Sequence, residues 1–239
     1  MQRTSNSTYI YGTHAVSAAL ENLRRHHKQL YALPELAENY KAYGKILKVV
    51  AKKDIEKLVP KDAVHQGVIL ETSLLPNVYL EDLPLESERC LLLAFDQVTD
   101  PHNVGAILRS AACFNIQGAI HTDRNSPPEG GVLAKAACGA LDYVPFAQVT
   151  NLARALDTLK EKGFWIVGLS EQGRTFLHTV DMPPKIVLVV GAEGAGMRRL
   201  IMGKCDFLVK LPTNPAFPTL NASNAAAIAL YEIQQRLGR

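Results

Sequence analysis

The stretch from Ile186 to Glu232 constrains the fold of this 239-residue chain more than any other. It begins with an apolar, β-branched run that ends in glycines, IVLVVGAEGAGM, and this pattern predicts a buried strand leading into a tight turn. A short helix, a strand over 206–211 and a proline-bounded loop follow, and the loop opens into an alanine-rich helix with Asn221 and Ser223 as candidate caps. Because strand ends and a helix start converge here, we expect the ligand site of an open α/β sheet at this place.

The glycines of this stretch do not form a known phosphate-binding motif. Arg199 occupies the third glycine position of the dinucleotide fingerprint, and no Gly-Lys-Ser/Thr sequence follows as it would in a P-loop. A carboxylate at Glu193 would also repel a phosphate. Two interpretations stay open from these residues alone: a turn that only closes a strand, and a site for a ligand of another kind.

Composition is that of an ordinary globular protein, with 47% hydrophobic and 21% charged residues. The sequence contains no apolar run near the ~20 residues of a membrane span, and its first residues lack the hydrophobic segment of a secretory signal. The four cysteines, Cys90, Cys113, Cys138 and Cys205, are far apart and show no CxxC pairing. We therefore expect a cytoplasmic protein with reduced structural thiols and no bound metal.

Positive charge is concentrated in the first third of the chain. Residues 1–75 hold 11 Lys/Arg against 7 Asp/Glu, whereas residues 76–239 hold 15 against 16. The basic residues cluster at 24–28 and along a lysine run over 41–53. This distribution is typical of a surface that contacts phosphates, and the alternative is a solvated helix face.

The order of predicted elements indicates two domains joined by a linker. Strands alternate with helices from residue 91 onward, which favours a parallel α/β sheet over 90–239. Residues 1–75 form a smaller βαβ-like block, in which a charged helix is predicted over 34–50. Residues 76–89 are rich in proline and acidic residues and are the predicted linker.

Three separated segments resemble the motifs of the SpoU/TrmH branch of the SPOUT methyltransferases. The segment DQVTDPHNVGAILRSA over 96–111 resembles motif 1, GAEGAG over 191–196 resembles motif 2, and the span 211–225 resembles motif 3. The front block resembles the family's L30e-like substrate-binding domain at Tyr11-Gly12, His14-Ala-Val16 and His65-Gln-Gly-Val68. The resemblance implies a knotted domain, a SPOUT trefoil-knot parallel sheet over 90–239, preceded by a small L30e-like α/β domain over 1–75.

The resemblance also implies an activity and its residues. The activity is S-adenosylmethionine-dependent 2′-O-methylation of an RNA ribose, without a metal. By motif position, the cofactor would lie against Leu169, Gly191, Leu211 and Leu220. The catalytic group would be Arg109, with Asn103, Glu193 and Asn221 positioning it and the nucleotide. Asn125, Ser126 and Lys135 match polar positions near the family's active site.

Arg109 is placed by the pattern on a helix predicted over 104–114, which Asn103 would cap. It falls between Leu108 and Ala111 on an otherwise apolar helix, so it needs a partner, because a buried unpaired charge is costly. One interpretation is an ion pair with Asp96 or Glu193. The other is a guanidinium directed at RNA, acting either as a base or as a cation that binds phosphate and polarises the ribose hydroxyl.

The front domain favours ribosomal RNA as the substrate. The resemblance implies a homodimer that methylates a guanosine ribose in large-subunit ribosomal RNA, with no DNA or membrane partner. One alternative keeps the chemistry and takes tRNA as the substrate. Another is a non-catalytic RNA-binding ribosome assembly factor of the same fold.

Overall fold

The structure, a computed structural model, describes residues 7–217 and 219–237. Contacts between residues divide the chain into two units. The front unit comprises Met1–Pro76 and Pro128–Tyr143, and the main unit comprises Asn77–Pro127 and Val144–Arg239. The domain boundaries predicted from the sequence, with a linker over 76–89, stay a prediction. The residue contacts group 128–143 with the front unit.

Short helices and strands alternate along the chain. The helices are α1 (Thr13–Glu21), α2 (Lys52–Ile55), α3 (Pro101–Cys113), α4 (Gly131–Ala137), α5 (Ala140–Tyr143), α6 (Leu152–Glu161), α7 (Arg199–Met202) and α8 (Ala222–Leu237). The strands are β1 (Ser7–Tyr11), β2 (His27–Ala32), β3 (Leu47–Val49), β4 (Val68–Ser73), β5 (Cys90–Asp96), β6 (Gly118–Thr122), β7 (Phe146–Val149), β8 (Trp165–Leu169), β9 (Thr175–Phe176), β10 (Lys185–Gly191) and β11 (Phe207–Lys210). Within the described ranges, no helix is long and apolar enough to cross a membrane.

The main unit is built on a seven-stranded sheet in the order β7-β6-β5-β10-β8-β11-β9. Every pairing in this sheet is parallel. The predicted parallel α/β sheet is therefore confirmed. Strand β5 is buried along its whole length, as its continuous apolar sequence indicates.

The strand order of this sheet does not follow the chain. Strand β10 lies between β5 and β8, and the chain then passes to the far side of β8 to form β11. It finally returns, because α8 packs on α3 and contacts β10. The carboxyl ends of β8, β10 and β11 consequently open at one edge, beside the last loop of the chain.

The front unit contains a four-stranded sheet in the order β1-β4-β2-β3, in which only β2 and β3 are parallel. The helix predicted over 34–50 is wrong: a 3-10 segment spans Pro34–Tyr43, and the edge strand β3 follows it. Tyr40 is the one buried residue of that segment. An apolar stripe that would hold a regular α-helix against the sheet is thus missing there.

Arg25 ties 128–143 to the first part of the front unit. Its side chain is buried, with Nε 2.5 Å from Asp142 Oδ1 and Nη1 2.7 Å from Glu129 Oε1. Burial acts to lower the pKa of Arg25, but the hydrogen bonds and negative charges of Asp142 and Glu129 together outweigh burial, and that pKa is raised. Arg25 is therefore a structural cation and does not belong to the predicted phosphate-contact surface.

Candidate active site

The start of α3 differs from its prediction. The helix begins at Pro101, and Asp100 caps it by accepting a hydrogen bond from the backbone N–H of His102 at 2.9 Å. The prediction that Asn103 is the cap is wrong, because the Asp100-Pro101 pair already provides a cap and a first helical residue. Asn103 instead lies inside the first turn, is only 8% exposed, and can direct its amide elsewhere.

Three of the predicted catalytic residues form one hydrogen-bonded cluster. Asn103 Nδ2 donates to Glu193 Oε2 at 2.8 Å, and Asn221 Nδ2 approaches the same oxygen at 3.4 Å. Asn221 Nδ2 also donates to Asn103 Oδ1 at 3.3 Å. The Asn221 Oδ1 atom accepts from the backbone N–H of Ser223 at 2.9 Å, so the prediction that Asn221 caps this helix is confirmed. We call Asn103, Glu193 and Asn221 the amide–carboxylate cluster.

Arg109 does not join this cluster within the chain. Its side chain is exposed on α3 and makes no hydrogen bond or ion pair with any residue of 7–217 or 219–237. Six residues of helix separate it from Asn103, a rotation of about 240° that puts the two side chains on different faces. The expectation that Arg109 is buried and needs a partner is therefore wrong.

The alternative interpretation of Arg109, an ion pair with Asp96 or Glu193, is also wrong, because both carboxylates have other partners. Asp96 is fully buried and accepts hydrogen bonds from Arg198, from the backbone N–H and from Nε, each at 2.7 Å. Glu193 is held by the cluster. The pair Asp96–Arg198 fixes the loop over 192–198, which carries Glu193, to the end of β5.

A pocket of about 810 Å³ opens at the carboxyl ends of β8, β10 and β11, within the range of small-molecule sites. All four residues predicted to contact the cofactor line it: Leu169, Gly191, Leu211 and Leu220. Glu193 and Asn221 of the cluster also line the pocket. Asn103 is hydrogen-bonded to both but is outside the lining, and Arg109 is outside it as well.

Sequence reasoning missed other lining residues. Lys210 places Nζ over the ring of Phe176, 5.0 Å from its centroid, and both residues line the pocket. Lys210 could have been found, because it lies near the end of the strand predicted over 206–211 and is the last residue of the observed β11. Phe176 carries no signal of this kind, since β9 is only two residues long.

The lining fits a nucleoside-type cofactor better than a phosphate. At Gly191 an added Cβ would overlap the backbone carbon of Gly196, so only glycine allows this close return of the chain. The side chains of Glu171 and Glu193 are acidic, and three leucines supply apolar contacts. In the described part of the chain, no group of three His, Cys, Asp or Glu could hold a metal.

The fold and the pocket define the class: an α/β protein with a small-molecule pocket at the carboxyl edge of a non-sequential parallel sheet. The model of the SpoU rRNA Methylase family matches residues 90–231. A second model, RNA 2′-O ribose methyltransferase substrate binding, matches residues 9–78. The chain belongs to the SpoU rRNA Methylase family, as its motifs predicted.

Relatives match along nearly the whole chain. The 23S rRNA (guanosine-2′-O-)-methyltransferase RlmB of Coxiella burnetii is 37% identical over 95% of each chain. RlmB of Pseudomonas aeruginosa is 39% identical over 94% of each chain. The crystal structure of the SpoU methyltransferase AviRb from Streptomyces viridochromogenes, in complex with AdoMet, superposes with a TM-score of 0.83 at 23% identity, covering 97% of this chain and 90% of that one. The predicted fold class is confirmed.

Proposed function

We propose that this protein transfers a methyl group from S-adenosylmethionine to the ribose 2′-hydroxyl of a guanosine in large-subunit ribosomal RNA. The observation that carries the proposal is the amide–carboxylate cluster at the wall of the pocket. The names of the two RlmB relatives support guanosine and 23S rRNA as the target, because their alignment includes the residues of both units. RNA is required, since DNA lacks the 2′-hydroxyl.

The pocket residues have roles that follow from their chemistry. S-adenosylmethionine supplies a methyl group carried on a positively charged sulfonium. Leu169, Leu211 and Leu220 offer apolar surface for its adenosine part, and Gly191 leaves room for backbone groups to approach it. The Glu193 carboxylate, which would repel a phosphate, is compatible with a positive charge.

The cluster residues act by position. Hydrogen bonds from Asn103 and Asn221 restrict the Glu193 carboxylate to one orientation, which is the condition for a precise site. Arg109 has the role of binding the RNA backbone beside the target ribose or of accepting the hydroxyl proton. Its exposure favours the first role, because an exposed guanidinium can donate paired hydrogen bonds to a phosphate of the RNA backbone.

We further propose a cytoplasmic homodimer. Helix α8 exposes 47% of Ile228 and 51% of Tyr231, and the loop before it exposes 75% of Phe217. These apolar side chains would be removed from water by a second copy. Sedimentation of the purified protein tests this, and a monomer at micromolar concentration would contradict it.

The activity is tested with labelled S-adenosylmethionine and two substrates, unmodified large-subunit ribosomal RNA and bulk tRNA. We expect label in ribosomal RNA as 2′-O-methylguanosine, and loss of turnover in Arg109→Lys and Glu193→Gln. Arg154→Lys, an exposed arginine on α6, is the matched control. Label only in tRNA would overturn the substrate assignment, and cofactor binding without label in either RNA would favour a non-catalytic assembly factor.

A further inference from the structure

Lys135 lies within the residues that match the SpoU rRNA Methylase model, 90–231, but its contacts place it in the front unit. Helix α4, which carries it, packs on β1 so closely that a Cβ added to Gly131 would lie 2.5 Å from the carbonyl oxygen of Tyr9. The lysine stem lies against Gly12, where an added Cβ would be 2.7 Å from Cδ and nearer still to Nζ. Any side chain at Gly12 would therefore displace Lys135, and the ammonium has a defined position on the front unit.

A neutral amide, rather than a carboxylate, holds the ammonium in place. Lys135 Nζ donates to Gln66 Oε1 at 2.5 Å, and the same oxygen accepts from the backbone N–H of Thr13 at 3.2 Å. Gln66 has a left-handed backbone with φ of 55°. For a residue with a side chain this conformation costs roughly 1–2 kcal/mol, so the fold maintains the Gln66 position against a local preference.

In the described part of the front unit, Lys135 shares the lack of a carboxylate partner with the exposed Lys45, Lys48, Lys53 and Lys61, and it differs from them in being half-buried and held by Gln66. Lys28, Lys41, Lys52 and Lys57 each pair with a carboxylate. Within residues 7–217 and 219–237, no carboxylate lies within 4.0 Å of Lys135 Nζ. Burial also lowers the pKa of Lys135, as expected for an ammonium partly removed from water.

The amide that holds Lys135 can also serve a ligand. The Gln66 side chain is exposed, and its Nε2 donates to no described residue, because its hydrogen bonds all run through Oε1. Within the described ranges, Gln66 Nε2 and the remaining N–H groups of Lys135 have no protein acceptor, and a bound anion would accept hydrogen bonds from both.

We infer that Lys135 and Gln66 together bind one phosphate of the RNA backbone, so that a residue from the methylase segment completes the surface of the substrate-binding unit. The inference rests on the proposed function, which makes RNA the substrate. Lys135 gives charge, and Gln66 orients it and donates a second hydrogen bond. Because a phosphate carries no base information, this contact contributes to affinity and register rather than to the choice of nucleotide.

The first test is Lys135→Met, which keeps the stem and removes the charge. The dissociation constant for an unmodified large-subunit ribosomal RNA fragment is measured across KCl concentrations. We expect binding about 3- to 10-fold weaker near 0.1 M salt, and a plot of log affinity against log salt whose slope is smaller by about 0.7–1. In turnover, KM for RNA rises while kcat stays near that of the wild type, and S-adenosylmethionine binding is unchanged.

The matched control is Lys162→Met, a lysine of the main unit paired with Glu86 at 2.7 Å. It removes the same charge and is expected to leave RNA affinity and salt slope unchanged.

Gln66→Gly is the second variant. Glycine relieves the left-handed backbone, so the fold is retained, and loss of the amide is expected to weaken RNA binding.

The outcomes separate this inference from the proposed function. A wild-type protein that methylates ribosomal RNA, together with a Lys135→Met variant of unchanged affinity and salt slope, would overturn the inference alone. A Lys135→Met variant that lowers only the melting temperature would overturn it as well. A wild-type protein that binds RNA without methylating it would overturn the proposed function, while the phosphate contact is still decided by the salt slope. Failure of the wild type to bind any RNA would overturn both.

Discussion

Arg198→Ala is expected to destabilise the main unit because it leaves a buried carboxylate without its cation. Asp96 is 0% exposed, and Arg198 is its hydrogen-bond partner through Nε and the backbone N–H. Breaking a buried pair from one side costs about 3–5 kcal/mol. We expect a loss at or below the lower end of that range, because the Arg198 side chain is 41% exposed and the backbone N–H at position 198 still donates to the carboxylate at 2.7 Å.

The double variant Asp96→Asn, Arg198→Ala decides whether the buried charge is the cause. Removing the charge as well as its partner should restore at least about 1 kcal/mol of the free energy of unfolding lost by Arg198→Ala alone. Arg199→Ala removes an exposed neighbouring charge and should stay within about 0.5 kcal/mol of the wild type. Urea unfolding followed by the fluorescence of Trp165 reports on the main unit, since it is the single tryptophan and lies in β8.

A double variant no more stable than Arg198→Ala would refute this reasoning. The loss would then come from the loop rather than from the charge. Binding of S-adenosylmethionine, measured in parallel, shows whether the 192–198 loop still positions Glu193 in each variant.

Three further predictions follow from other groups. Arg109→Lys should lose most methyl-transfer turnover and keep cofactor binding, because Arg109 is not part of the pocket; near-normal turnover would contradict both of its roles. Burial raises the pKa of Cys90 to about 11 and of Cys205 to about 12, while Cys113 is exposed, so a thiol reagent at pH 8 should label Cys113 before either of them in a mass-spectrometric time course. Burial lowers the pKa of His121, so its contribution to stability is present above the ordinary value of about 6.5 and is lost as pH falls toward the folded-state pKa. His121→Gln should therefore lose less free energy of unfolding than the wild type between pH 7.5 and 5.5, and an equal loss would show that His121 is not responsible.

The main sheet could be predicted because its strands are continuous apolar runs. The sequences of β5 and β10 have no alternation, which is typical of strands buried on both faces, and both are central in the sheet. Asn221 was also predictable as a cap, since a short polar residue directly precedes an alanine-rich run.

The exposure of Arg109 could have been predicted from the spacing of the apolar residues in α3. The buried residues Val104, Ile107, Leu108 and Ala111 form one stripe of α3, and position 109 lies outside it. The partner of Asp96 could not have been predicted from the sequence. Arg198 lies 102 residues further along the chain, and no local pattern links the two.

The placement of residues 128–143 in the front unit has a consequence for synthesis on the ribosome. All four strands of the front sheet are complete by residue 73, but Asp142 and Glu129, the partners of the buried Arg25, come much later in the chain. At a translation rate of roughly 5–20 residues per second, several seconds pass between synthesis of the front sheet and synthesis of these two partners. The substrate-binding part, although first to be translated, therefore completes its folding only after translation has entered the methylase segment.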